Sequence, residues 1–264
     1  MKRVVTIAGS AAQGSAGIQA DLKTFQERDV YGMSVITATV ANNSRTDEGI
    51  FIRETKEIEA QFHAVNEMVG IDAVKIGMLF SKEIILKVSE LLKTVPEVPK
   101  IIDPVMIGKM GSQLLADDAI EVLKKYLIPQ ATLITPNRLE AEKLLGRKIF
   151  SELDDLERAT KELYALNPGS VLLKAGEVDG QAIDVFYDGE ALKIFEMPLI
   201  DTIHTSGAGC TFAACLTAEV AKGVEMAGAI QISKQFVHAA IKHSLAFGKG
   251  VGSVRHGALR QMID

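Results

Sequence analysis

The segment Thr205-Ser206-Gly207-Ala208-Gly209-Cys210-Thr211 holds the residue types that phosphoryl transfer requires. Its glycines let the backbone turn tightly and present successive N–H groups where a helical pattern begins, and such a start attracts anions. Cys210 falls in the first turn of that pattern, where a thiol's pKa tends to fall and the thiolate becomes available. Amides for developing phosphoryl charge and a base beside an acceptor hydroxyl are the two parts such a site combines. The plain alternative makes Cys210 a small core residue and the glycines an ordinary turn. The combination favours the chemical reading. Cys215 reads as a buried small hydrophobe.

Other segments lie just after apolar runs. Gly9-Ser10-Ala11-Ala12-Gln13-Gly14-Ser15-Ala16-Gly17 lacks the G-x-G-x-x-G spacing of a dinucleotide site, and no Lys follows Gly14 as a P-loop requires. It is either a turn that lets backbone approach a ligand or a tight turn without one. In Thr135-Pro136-Asn137-Arg138-Leu139-Glu140, Asn137 and Glu140 share one face of a first helical turn. They could hold a hydrated Mg²⁺ and thereby a triphosphate, although taken alone a capping box is the stronger reading. Lys174-Ala175-Gly176 ends a buried run with a cation suited to phosphate, or with an ordinary solvated lysine. Asp103-Pro104-Val105-Met106 places a carboxylate after another run. His63, His204, His238, His243 and His256 show no ligand spacing, so no zinc site is expected.

These segments need a frame that brings them to one edge. Val4–Ala8, Ser34–Val40, Ala73–Gly77, Lys100–Ile102, Ala131–Ile134 and Val171–Lys174 are compact and rich in β-branched residues, as buried strands are. Helical spacing runs through Ile18–Glu27, Glu57–Val69, Lys82–Lys93, Asp117–Leu127, Leu139–Leu145, Leu153–Leu166, Ala208–Lys222 and Gly228–Leu245. Asp184–Tyr187 and Leu192–Glu196 flank Asp188-Gly189, a hairpin signal. Alternation of this kind predicts an α/β fold with a mostly parallel sheet, and ligands then sit at the carboxyl ends of the strands. No Pro/Ser linker or internal repeat divides residues 1–264, so a single domain is expected.

Composition narrows the chemistry. With 29 Lys and Arg against 34 Asp and Glu, the net charge of −5 argues against a nucleic-acid or anionic-membrane partner. Aromatics are 5% with no Trp, which removes a base-stacking platform. At 47% apolar the 264 residues can bury a sizeable core. The two cysteines sit about 140° apart around one helix at ~100° per residue, so no disulfide joins them and a reducing compartment is expected. No stretch reaches roughly 18 uninterrupted apolar residues, and the expectation is a soluble cytoplasmic protein.

The order of the motifs along the chain is more specific than any one of them. Ile7-Ala8-Gly9-Ser10, Gly14–Phe25, Tyr31–Ala38, Asp72–Leu79, Asp103–Met106, Thr135–Ala141, Gly207–Thr211 and the tail Gly250–His256 together strongly resemble the hydroxymethylpyrimidine/phosphomethylpyrimidine kinases of thiamine synthesis. These belong to the ribokinase-like superfamily with the closely similar bacterial pyridoxal kinases. The resemblance covers nearly the whole chain and implies a three-layer α/β/α kinase using ATP and Mg²⁺. The activity implied is phosphorylation of the hydroxymethyl group of 4-amino-5-hydroxymethyl-2-methylpyrimidine and of its monophosphate, with pyridoxal or pyridoxine kinase as the alternative. By the same resemblance Gly207, Ala208, Gly209 and Cys210 form the anion hole and base. Ala16, Gly17, Asn42, Met78 and Val105 surround the ring; Lys174, Asn137 and Thr205 meet the nucleotide; Glu140 and Asp103 serve the metal. A homodimer is implied for this branch. Ala11-Ala12-Gln13, Asn42 in place of a ring-contacting glutamine, and Ser206 in place of a histidine depart from the family pattern. From the residues alone, a nicotinamide oxidoreductase and a non-catalytic ligand-binding relative stay open.

Overall fold

The computed structural model describes residues 1–107 and 113–262. Along the chain run β1 (Arg3–Ala11), α1 (Gly17–Glu27), β2 (Tyr31–Val40), β3 (Ile50–Ile52), α2 (Thr55–Met68) and β4 (Ala73–Ile76). They are followed by α3 (Lys82–Leu92), β5 (Lys100–Ile102), α4 (Asp117–Val122), β6 (Leu133–Ile134), α5 (Arg138–Leu145) and α6 (Leu153–Tyr164). The last elements are β7 (Val171–Val178), β8 (Gln181–Tyr187), β9 (Leu192–Pro198), α7 (Ala208–Ala221) and α8 (Met226–Lys242). The chain forms two compact units, residues 1–79 with 200–264, and residues 80–199.

In the first unit the strand order is β3-β2-β1-β4. β1 runs parallel to both β2 and β4, while the short β3 is antiparallel to β2. Val4, Val5, Ile7, Val35, Val74 and Ile76 are completely buried, the burial that β-branched runs without polar alternation predict. Each such side chain contributes about 1.5–3 kcal/mol by leaving water. Helix α7 is buried along most of its surface because Ala213, Ala214 and Ala218 let α1 and α8 approach it closely.

In the second unit the order is β5-β6-β7-β8-β9, parallel from β5 to β7 and antiparallel from β7 to β9. Two sequence expectations change here. The stretch 117–127 is α4 followed by a wider π-type turn at Leu123–Leu127, and a 3₁₀ turn at Ile128–Gln130 carries Pro129 as its second residue. Strand β7 extends to Val178 and folds back into β8 through Asp179 (φ 48°) and Gly180 (φ 75°). Positive φ at both turn positions is what a tight two-residue hairpin demands. Asp188-Gly189 connects β8 to β9 as expected, with Asp188 Oδ1 accepting from the Glu190 and Ala191 amides at 3.0 and 2.7 Å.

Candidate active site

The predicted site residues divide between the two units. Ala16, Gly17, Asn42, Met78, Thr205, Gly207, Ala208, Gly209 and Cys210 lie in the first; Asp103, Val105, Asn137, Glu140 and Lys174 lie in the second.

The first unit brings its two glycine segments together. Gly207 caps α7 in the left-handed region at φ 86°, and a Cβ there would lie 1.7 Å from the Ser15 carbonyl oxygen. Gly17, at φ 60°, would drive a Cβ to 2.2 Å from the Gly9 oxygen. Only glycine permits either approach. Between them the Gly17 amide donates to Cys210 Sγ at 3.4 Å, and Ser206 Oγ meets Ser15 Oγ at 3.0 Å. The Cys210 sulfur thus stands in the first turn of α7 against a backbone donor. The first intrahelical bond runs from the Thr211 amide to the Gly207 oxygen at 2.8 Å. The amides of Ala208, Gly209 and Cys210 precede it; that of Ala208 closes a turn onto Thr205 at 3.2 Å.

Neighbouring segments brace this half. Gln19 receives the Ala11 amide and donates to Ser10, each at 2.8 Å, which pins the loop ahead of α1. The tail segment Gly252–Val254 is zipped along Ser206 by backbone bonds of 3.1 Å on either side. Met78 is half-buried and its carbonyl accepts from Thr37 Oγ1 at 2.8 Å. Asn42 is exposed, and its side chain lies over Gly49, where a Cβ would come within 2.3 Å of Asn42 Oδ1. Cys215 is completely buried, and burial pushes its thiol up to about 11. Neither cysteine is in a disulfide.

The second unit assembles the charged residues. Lys174, in the first half of β7, reaches Asp103 Oδ1 at 2.7 Å, and Thr135 Oγ1 donates to the same oxygen at 3.0 Å. Asn137 caps α5 by accepting the Glu140 amide, and Glu140 returns the bond to the Asn137 amide, both at 2.9 Å. The capping box is therefore real, and it fixes the orientation of the Glu140 carboxyl. Glu140 is 2% exposed. Burial raises its pKa to about 7; Lys174 lowers it, Asp103 raises it, and the Asn137 and Met106 amides lower it. Beside this group opens a cleft of about 950 Å³, within the range of small-molecule sites. Asn137 and Lys174 stand at it with Leu139, Val178, Ile183 and Ile194. The sequence reading missed these apolar walls; the Asp179-Gly180 hairpin signal, which places Val178 and Ile183, could have found two of them.

Among the described residues no group of three His, Cys, Asp or Glu is arranged to hold a metal. No helix among them is long and apolar enough to cross a membrane.

Comparison with known proteins places the chain in a family. The phosphomethylpyrimidine kinase family profile matches residues 12–255. A pyridoxine kinase of Bacillus subtilis is 43% identical over 98% of this chain and 97% of its own length. A hydroxymethylpyrimidine/phosphomethylpyrimidine kinase of the same organism is 41% identical over 98% and 96%. The ADP complex of Bacillus subtilis pyridoxal kinase superposes with a TM-score of 0.93 at 42% identity, covering 98% of this chain and 99% of that one. The ribokinase-like α/β expectation holds, and the oxidoreductase and non-catalytic readings give way to a kinase. The chain belongs to the phosphomethylpyrimidine kinase family.

Proposed function

We propose that this kinase transfers the γ-phosphoryl group of ATP to the hydroxymethyl group of 4-amino-5-hydroxymethyl-2-methylpyrimidine, with the monophosphate as a second acceptor. The observation that carries the acceptor half is the Gly17–Cys210 contact at 3.4 Å beside the α7 N-terminus. In this reading the Cys210 thiolate takes the hydroxyl proton as the oxygen attacks phosphorus and ADP leaves. The Gly207–Cys210 turn stabilises the equatorial oxygens, a task of positioning and charge rather than covalent chemistry. Ala16, Gly17, Asn42, Met78 and Val105 are assigned to the ring; Asn137, Lys174 and Thr205 to the nucleotide.

The buried acidic pair suits Mg²⁺. Asp103 and Glu140 are 3% and 2% exposed, and a carboxyl pushed up to about 7 lacks compensating charge that a divalent cation supplies. Two oxygen donors without a full cage match an ion completed by water and phosphates. Bound there, Mg²⁺ would neutralise charge on the transferring group.

Two observations favour a pyridine acceptor as the second reading: the 43% identity to a pyridoxine kinase, and the exposed Asn42 in the position of the ring-contacting amide. ADP release measured with hydroxymethylpyrimidine, its monophosphate and pyridoxal decides between them. Greatest kcat/KM with pyridoxal would reverse the order; no release with any of the three would remove the reading.

The edge strand β3 exposes Phe51 (46%) and Ile52 (53%), which supports a homodimer. The two free thiols support cytoplasmic residence. A single domain is kept because the first unit is built from two separated stretches of chain.

A further inference from the structure

A second cleft, of about 870 Å³, lies in the first unit between α1 and the C-terminal tail. Leu22, Leu245, Phe247 and Val254 give it an apolar wall. Its charge is one-sided. The carboxylate of Glu27 is taken by Arg260 at 2.5 Å. Lys23 Nζ donates to the Gly14 carbonyl at 2.8 Å and forms no ion pair among the described residues. The half-buried Arg255 guanidinium makes neither ion pair nor hydrogen bond among them. His256 is 8% exposed, and its Nε2 is buried with no hydrogen-bond partner.

Buried polar nitrogens are nearly always satisfied, so this one points to a missing acceptor. Burial, with Lys23 adding to it, holds the His256 pKa at about 4. Near neutrality the ring is therefore uncharged, and Nε2 can carry the hydrogen an anion accepts. Two cations and one N–H suit a dianionic oxyanion. The apolar wall and the volume exceed what a bare anion needs and suit a ring attached to it.

We propose that the Lys23–Arg255–His256 cleft binds a phosphate monoester of a small heterocycle, separately from the acceptor and nucleotide sites. Which ring it carries rests on the function proposed above, since such esters are the products of that reaction.

Titration calorimetry without ATP tests this, using hydroxymethylpyrimidine monophosphate, pyridoxine 5′-phosphate, the unphosphorylated pyrimidine and inorganic phosphate. The Lys23→Glu/Arg255→Glu variant is expected to bind one equivalent fewer of a phosphate ester than the wild type. The unphosphorylated ring should show equal stoichiometry in both. Inorganic phosphate should bind the cleft at least tenfold more weakly than the ester. Lys23→Ala, at an exposed position, supplies a second variant expected to weaken the extra site at least tenfold. Equal ester stoichiometry in wild type and variant, or inorganic phosphate binding as tightly as the ester, overturns the proposal. The kinase reading fails differently, by absence of ADP release, and that result leaves the stoichiometry readable.

Discussion

The Gly17 amide and the Cys210 sulfur meet at 3.4 Å although 193 positions separate them. That contact joins the loop ahead of α1 to the first turn of α7, and it needs glycine at two points where any side chain would strike backbone. A base held by a backbone donor is oriented before substrate arrives, which is how a weak nucleophile-activating group becomes effective.

Cys210→Ala is accordingly expected to lower kcat by on the order of 10²–10⁴-fold. The KM for ATP should change little, because two of the residues proposed for the nucleotide, Asn137 and Lys174, lie in other segments of the chain, and the substitution leaves Thr205 in place. Coupled ADP assays at saturating ATP read both numbers. Turnover within twofold of wild type would end the assignment of Cys210 as base.

Gly207→Ala tests the turn rather than the thiol. The added Cβ would stand 1.7 Å from the Ser15 carbonyl, at a backbone angle of φ 86°. Left-handed backbone costs a non-glycine residue about 1–3 kcal/mol, before the clash is relieved by moving the 9–17 loop. Reduced urea stability together with a fall in kcat is expected. Unchanged stability with full activity would show that the loop moves freely.

How much of this was legible beforehand follows from where the signals reside. Strands such as Val4–Ala8 and Val171–Lys174 were readable because residues buried on both faces leave a compact, mostly apolar run. The chemistry-bearing segments were readable too, as glycine, cysteine and Asn-x-x-Glu are locally unusual. What linear reading could not supply is partnership. Nothing local pairs Lys174 with Asp103, or says that Ser206 reaches Ser15 rather than substrate. Nor does spacing show that Asn42 stays exposed. The Asp179-Gly180 turn is written in the sequence, but the apolar run that marks β7 stops at Lys174, while the strand itself continues through Ala175, Gly176 and Glu177 to Val178.

A buried ion pair gives a stability prediction outside the reacting groups. Lys75 and Asp21 are completely buried, 2.9 Å apart, and Thr6 Oγ1 donates to the same Asp21 oxygen at 2.6 Å. They tie α1, just after the Gly17 loop, to β4, just before Met78. Lys75→Met leaves a buried carboxylate without its cation and should cost about 3–5 kcal/mol. The double variant Lys75→Met/Asp21→Leu removes both charges and should recover part of that loss. A double variant no more stable than the single one would contradict this account.

Glu140 supplies the pH dependence. Its carboxyl titrates near 7 in the folded protein against an ordinary value of 4.5, first because it is buried and then because Asp103 is close. A folded value above the unfolded one means that the group's favourable contribution is complete below about pH 4.5 and is lost as pH rises through about 7. Stability without nucleotide should therefore decline over that window on this group's account. Glu140→Gln keeps the capping box, since glutamine can accept the Asn137 amide in the same place. The variant should lose the decline, so the wild-type-minus-variant difference in urea midpoint becomes more negative between about pH 5 and about pH 8. A difference that does not change with pH would mean that Glu140 ionises at its ordinary value, leaving the buried pair without the charge deficit that favours a cation.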